Sequence, residues 1–273
     1  MKDLDRVDLA DLHDPKEMAR ALHKQIGRLD QPVPVEDVAL ALGIGEVRIE
    51  TLDGCEGVLL TDRARSWGKI LVNGGRGSRA ARFGIGHELG HFLLERHVLG
   101  LDGRFTCALG DMRQPRSART YKKQEGEANE FSAAFLAPEY LTAPFLAQQP
   151  EIDAVRAMSN ALDLSLEATT RCFVDGHDEP LAAVWTTNGT IRYALRGPRF
   201  PWLTRERGQA VSSLSRTHAA FAKGGTMISE MAEVPSAVWS TADIPELFEQ
   251  VRIGKEGHSL TLLWATLPED CEI

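Results

Sequence analysis

The sequence predicts an α+β fold, in which helices and strands occupy separate stretches of the chain. Before residue 43, apolar residues recur at the spacing of amphipathic helices, and three short runs typical of strands follow directly. Beyond Pro180 the chain is mainly typical of strands, beginning with a hairpin signal at Asn188-Gly189. These separate helical and strand segments are typical of an α+β fold.

Composition excludes several classes of protein. The 273 residues are 43% hydrophobic and 26% charged, which is ordinary for a chain with a real apolar core. The net charge of −8 argues against direct binding to nucleic acid or to anionic membranes. The first fifteen residues lack the apolar core of a secretory signal, and no run of about 18 apolar residues is present. We therefore expect a cytoplasmic protein with no membrane segment.

The first predicted helix covers residues 14–28. Asp14 is a good N-cap, Pro15 suits the first helical position, and Glu17 completes a capping box. A shorter helix, PVEDVALALG, is expected to end at Gly43, because glycine is a common C-terminal stop.

Three strands and a long helix come next. The runs EVRIETL, EGVLLTD and GKILVN are typical of strands, and a helix is predicted over residues 79–96, entered through Ser78. The third run, around residues 69–73, is expected to form an exposed sheet edge to which an extended peptide can add.

Residues 98–120 show no convincing period, so irregular structure is predicted there, of the kind that is often functional. A further helix is predicted over about 121–137, stopping before Pro138. Two short helices within 150–172, broken around Asp163, follow it. The last part should contain the hairpin, a helix near 207–222, and strands near 226–234, 247–253 and 259–266.

The strongest chemical signal is HELGH, residues 87–91, in a chain with only eight histidines. On a helix, His87 and His91 stand on one face, one turn apart, where both rings can bind one Zn²⁺. Glu88 lies beside that face and can act as general base toward a water whose pKa the metal lowers. Three glycines in the same helix each cost about 1 kcal/mol against alanine, which indicates a close approach of another group. The alternative is two histidines that bind no metal.

A catalytic zinc site needs a third protein ligand. In QEGEANEF, Glu125 is the candidate, and Asn129 follows one turn later, where it can hydrogen-bond a histidine ring. Glu127 is the competitor for the same role. These glutamates can also be a solvated acidic turn that favours the helix dipole.

Two further residues, Tyr121 and His97, lie near these candidates in the sequence. Tyr121, four residues before Glu125, can stabilise an oxyanion with its phenol, although a packing role is common for such a tyrosine. His97 lies six residues past His91, which would place it around the helix from the other two, so we interpret it as a partner of the helix dipole and not as a ligand.

HELGH followed by EGEANEFSAAFLAP resembles the ImmA/IrrE family of zinc metallopeptidases, over residues 68–140 and more loosely over 150–195. That family carries H-E-x-x-H and then E-x-x-A-N/D-x-F-A-x-x-L-L-x-P. The matching positions here are His87, Glu88, His91, Glu125, Ala128, Asn129, Phe131, Leu136 and Pro138. The chain departs from the pattern at Ser132 and at Ala134-Phe135, which are packing positions.

The resemblance implies a gluzincin-like site in a zincin-like domain, with His87, His91 and Glu125 as ligands and Glu88 as general base. It implies a metallopeptidase domain over residues 1–145, a helix-turn-helix-like segment over 146–178, and a GAF-like sensor or substrate-binding domain over 179–273. The implied cofactor is Zn²⁺, which Mn²⁺ can replace in vitro.

The expected function is therefore a cytoplasmic zinc endopeptidase. Its protein substrate would be a helix-turn-helix repressor whose cleavage switches on stress-response or mobile-element genes. The alternative is a non-proteolytic metal-binding regulator that acts as a scaffold for a partner or for DNA.

Overall fold

The computed structural model describes residues 4–98, 104–108 and 115–267. It has the expected α+β character, with eight α-helices and two separate β-sheets in the described residues. The chain forms two compact units, Met1–Thr142 with Asn160–Ser165, and Ala143–Ser159 with Leu166–Ile273. The division of the sequence into three domains remains a prediction.

The first unit opens with the two predicted helices, α1 (Pro15–Ile26) and α2 (Val35–Ala41). The Asp14 side chain accepts hydrogen bonds from the backbone N–H groups of Lys16 and Glu17, so the predicted N-cap is present.

The first sheet contains four strands in the order β1-β3-β2-β4. They are β1 (Ile44–Glu50), β2 (Cys55–Thr61), β3 (Gly68–Asn73) and β4 (Arg104–Ala108). β1 pairs with β3 in parallel, and the other pairs are antiparallel. The prediction that residues 69–73 form an exposed edge was wrong, because β3 lies between β1 and β2. The outer strand on the β2 side is β4.

The prediction of irregular structure over residues 98–120 was wrong for part of that stretch. It contains β4 and the start of a long helix, α4 (Pro115–Leu136). β4 takes its structure from backbone pairing with β2, which a search for hydrophobic period does not detect. Residues 99–103 and 109–114 lie outside the described part of the chain.

Helix α3 (Ser78–Leu93) carries HELGH and packs against α4. Its glycines make room for side chains: a Cβ on Gly86 would lie 2.6 Å from Ser132 Oγ, and one on Gly90 would lie 2.9 Å from Phe131 Cδ1. Both contacts are too short for a real Cβ. The glycines therefore set how closely the two helices approach. This agrees with the expectation that glycines, which destabilise a helix relative to alanine, mark a close approach of another group.

The remaining helices are α5 (Glu139–Leu146), α6 (Ile152–Leu162), α7 (Leu166–Gly176) and α8 (Arg216–Lys223). The break between α6 and α7 falls at Asp163, as predicted, and this residue has a φ of 51°. α8 is shorter than the predicted helix over 207–222, because Ser215 caps it by accepting from the Thr217 N–H.

The second sheet is antiparallel in the order β6-β5-β10-β9-β7, with β8 also paired to β9. Its strands are β5 (Leu181–Thr187), β6 (Thr190–Arg196), β7 (Met227–Ile228), β8 (Ala232–Val234), β9 (Glu246–Ile253) and β10 (His258–Thr266). Asn188 and Gly189 have φ values of 49° and 73°, which fits the predicted hairpin turn. No helix in the described ranges has the length and apolar character needed to cross a bilayer.

Candidate metal centre

His87 and His91 face the same point from consecutive turns of α3. Their Nε2 atoms are 3.0 Å apart, and the rings are 8% and 0% exposed. The helical spacing brings the two rings together, and the glycine-lined contact with α4 encloses them.

Glu125, on α4, brings a carboxylate to the two imidazoles. Its Oε2 lies 3.4 Å from His87 Nε2, and its Oε1 lies 3.3 Å from His91 Nε2. The ligand atoms of these three side chains all lie within 4.8 Å of one another, so the group could hold a metal ion.

The donor set fits a divalent metal such as zinc. Two imidazole nitrogens and one carboxylate are a known ligand set of catalytic zinc sites, which leave a fourth position for water or substrate. Nitrogens 3.0 Å apart can both bind one ion, because Zn–N bonds are about 2.0–2.1 Å long. The same donor set also binds other divalent transition metals, so the ligands alone do not select zinc.

Burial and the neighbouring charges set the protonation of this group. Burial lowers the pKa of His91 to about 3, although the neighbouring Glu125 carboxylate acts against it. Burial also lowers the pKa of His87, but Glu125 and Glu88 outweigh it, so the net shift is upward. For Glu125, burial raises the pKa, and the two histidines outweigh burial and hold the pKa well below its usual range. At neutral pH the cluster therefore offers an anionic carboxylate and a neutral His91.

Glu88 follows His87 on α3 and is 1% exposed. Its carboxyl group lies against Gly57 of β2: a Cβ at position 57 would lie 3.1 Å from Glu88 Cδ and would collide with Oε1. Glu88 directly follows His87 in the sequence of α3, and its charge raises the pKa of His87. The sequence-predicted base is thus beside the ligands without being among them.

The other residues chosen from the sequence lie around this centre. Asn129 Oδ1 is 3.0 Å from His87 Nδ1, which is the contact expected from its position one turn after Glu125. Glu127, the competing ligand, instead faces Arg96 and His97, at 2.8 and 3.0 Å. Tyr121 is half-buried on α4, one turn before Glu125, and its role remains a prediction.

His97 is the residue that sequence reasoning misjudged. Its Nδ1 lies 2.8 Å from His91 Nδ1, and its Nε2 lies 3.0 Å from Glu127 Oε2. The interpretation as a dipole partner was wrong because it assumed that α3 continues to residue 96, whereas α3 ends at Leu93. The signal that pointed to it was the third histidine within eleven residues of a chain poor in histidine.

No protein-family model matches this chain, and no curated protein matches it. Among solved structures, it is similar to one described as a Mycobacterium tuberculosis transcriptional regulator. The TM-score is 0.54 at 15% sequence identity, and the match covers 95% of this chain and 79% of that chain. At this identity the likeness concerns the fold alone.

Proposed function

We propose that this chain is a zinc-dependent endopeptidase that cleaves a specific protein substrate. The observation that carries the proposal is the buried carboxylate of Glu88 beside a cluster of His87, His91 and Glu125. An ion held for structure alone needs no general base next to it, whereas a hydrolytic site does.

In this proposal His87, His91 and Glu125 hold the zinc, which supplies Lewis acidity that polarises a carbonyl and lowers the pKa of a water. The Glu88 carboxylate accepts a proton from the water that attacks the peptide carbonyl carbon. It then delivers that proton to the leaving nitrogen as the C–N bond breaks. The Tyr121 phenol donates a hydrogen bond to the carbonyl oxygen as negative charge develops on it.

The fold offers an edge along which a peptide can bind. Among the described strands, β4 is at the end of its sheet and pairs with β2, the strand whose Gly57 lies against Glu88. An extended substrate that adds to β4 would therefore run close to the proposed base. We assign the role of peptide-binding edge to β4, because residues 69–73 belong to β3, which lies between β1 and β2.

The proposed substrate is a helix-turn-helix repressor whose cleavage switches on stress-response or mobile-element genes. The support is the resemblance of residues 68–140 to the ImmA/IrrE family. In this reading the first unit is a zincin-like metallopeptidase domain. Residues 179–273 form a GAF-like domain that senses a signal or holds the substrate, in keeping with the antiparallel sheet of β5–β10.

Glu88→Gln tests the proposal, because glutamine keeps the shape of the side chain and cannot act as the base. The protein is incubated with Zn²⁺ or Mn²⁺ and with the transcription regulator encoded beside it, and cleavage is read by intact mass. We expect the wild type to cut and Glu88→Gln to lose at least about 10²-fold of the rate, with zinc still bound. Glu95→Gln, the same change at an exposed position just past α3, is the matched control. A Glu88→Gln protein that cuts normally would refute this mechanism.

A second function is favoured by the likeness of fold to a transcriptional regulator over 95% of this chain. In that case the protein is a non-proteolytic, metal-binding scaffold for a partner. It would bind the regulator without cutting it, and Glu88→Gln would leave binding unchanged. Intact mass separates the two functions, because only the peptidase produces fragments.

A further inference from the structure

We propose that His97 and Glu127 are positioning residues that fix the proton of His91 on Nδ1, so that Nε2 presents its lone pair to the metal. This inference rests on the metal site of the proposed function. It concerns two side chains that provide no ligand atom to the cluster of His87, His91 and Glu125.

The first step is the direction of the outer hydrogen bond. Glu127 Oε1 lies 2.8 Å from Arg96 Nη2, and Glu127 Oε2 lies 3.0 Å from His97 Nε2. A carboxylate paired with a guanidinium is an anion and only accepts hydrogen bonds. His97 must therefore carry its proton on Nε2 and donate it to Glu127.

The second step concerns the proton of His91, the proposed ligand that His97 contacts. A neutral imidazole with its proton on Nε2 has an acceptor at Nδ1. His97 Nδ1 lies 2.8 Å from His91 Nδ1, so His91 donates its Nδ1 proton to His97. The lone pair of His91 then lies on Nε2, which faces His87 Nε2 at 3.0 Å. In the zinc-free protein the Glu125 carboxylate, 3.3 Å from His91 Nε2 and 3.4 Å from His87 Nε2, accepts from His87 and not from His91.

The position of His97 is itself fixed by the surrounding backbone. Arg65, which is 4% exposed, donates from Nη2 to the His97 carbonyl oxygen at 2.5 Å. The His97 N–H donates to the Leu94 carbonyl at 2.9 Å, which closes a turn directly after α3. These bonds fix the backbone at position 97, from which the buried His97 ring reaches His91.

The two ligand histidines thus have outer acceptors of different kinds. His87 Nδ1 faces the amide oxygen of Asn129, whereas His91 Nδ1 faces an imidazole that is backed by a carboxylate. A carboxylate behind the ring raises the basicity of the ligand nitrogen, and removing such outer partners typically weakens metal binding by about 10–100-fold. We infer that Glu127 strengthens zinc binding from outside the ligand set.

The test compares His97→Leu with His97→Asn in the full-length protein, with zinc affinity measured by competition against a chelating dye. Leucine removes the acceptor, and we expect about 10–100-fold weaker zinc binding. Asparagine places an amide oxygen near the position of Nδ1, as Asn129 does for His87, and should recover most of the affinity. Glu127→Gln, which keeps the side-chain shape, should give a smaller loss. Lys123→Met is the control, because Lys123 is exposed and reaches Glu127 only at 3.8 Å.

A second readout is independent of catalysis. In the zinc-free protein, ¹⁵N NMR of the imidazole rings should show His91 protonated on Nδ1 in the wild type and a mixture of tautomers in His97→Leu. A proton on Nε2 of His91 in the wild type would overturn the inference. So would zinc affinities of His97→Leu and Glu127→Gln equal to that of the wild type. A wild type that binds no zinc would instead overturn the proposed function, so the two failures are distinguishable.

Discussion

At the scale of single residues, Gly57 matters to the candidate site because the side chain of Glu88 lies against it. It lies on β2, where its missing side chain leaves the space that the Glu88 carboxyl group fills. The proposed base has to be held by its surroundings, and here the backbone of a neighbouring strand does so. Glycine at this position is therefore a requirement of the proposed base and not of the strand.

Gly57→Ala should reduce cleavage without reducing zinc binding. The new Cβ would lie 3.1 Å from Glu88 Cδ and 3.2 Å from Cγ, so the carboxylate must move. Displacement of a catalytic group by about 1 Å can cost about 10²-fold in rate, and we expect a loss of that order. Steady-state cleavage and dye competition for zinc measure the two effects separately.

Gly45→Ala on β1 is the control, because the nearest atom to its Cβ is the Gly68 carbonyl oxygen at 3.8 Å. It should leave the rate unchanged. Full activity in Gly57→Ala would mean that the position of Glu88 is not set by β2.

At the scale of elements, the accuracy of the sequence predictions follows from how local each signal is. Helix α1 and the turn at Asn188-Gly189 depend on neighbouring residues, and both were predicted. The order of the first sheet depends on pairing between distant segments: β1 pairs with β3, and β4 pairs with β2. No local sequence pattern predicts either pairing, so the exposed edge was assigned to the wrong strand.

The predictions for the candidate site also differ in accuracy according to how local each signal is. The spacing of His87 and His91 is a property of one helix, and it brought the two rings together as predicted. The competition between Glu125 and Glu127 depends on which face of α4 meets α3, and only the packing of the helices separates them. His97 was misjudged because the end of α3 at Leu93 has no strong stop signal, and a shift of three residues in a helix end changes every angle beyond it.

Gly90→Ala should show that the approach of α3 to α4 holds the site together. Its Cβ would lie 2.9 Å from Phe131 Cδ1 and 3.3 Å from Phe131 Cβ, within the buried interface. Overpacking of this kind typically costs about 1–3 kcal/mol, and we expect a loss of that size in urea unfolding. Zinc affinity should also fall, because α3 carries two of the proposed ligands and α4 carries the third.

Gly126→Ala provides the matched control on α4, since none of the described residues places an atom within 4 Å of the added Cβ. There alanine should stabilise the helix by up to about 1 kcal/mol. Equal stability of the two variants would contradict the close packing inferred for Gly90.

At the scale of the whole molecule, each unit has its own core, and the candidate metal cluster found in the described residues lies in the first unit. The second unit buries Trp239 and Phe200 and encloses a carboxylate, Glu249, which accepts hydrogen bonds from Trp239, Ser215 and Thr217. This buried side chain is hydrogen-bonded by its neighbours and connects α8 to β9. In the first unit the buried polar groups converge instead on a point that a cation can occupy, and binding there must therefore add to folding stability.

Zinc should stabilise the protein through the first unit, and its removal by a chelator should reverse the effect. Ligand binding to the folded state adds RT ln(1 + [L]/Kd), which is about 2.7 kcal/mol at a free concentration of 100 Kd. Calorimetry with and without zinc measures the gain, and hydrogen exchange should show the added protection in α3 and α4, which supply the three ligands. Glu88→Gln should retain the gain, because Glu88 is outside the ligand set, whereas His91→Ala should lose it. A gain that survives His91→Ala would place the zinc elsewhere in the molecule, and the proposed peptidase would then lack its metal.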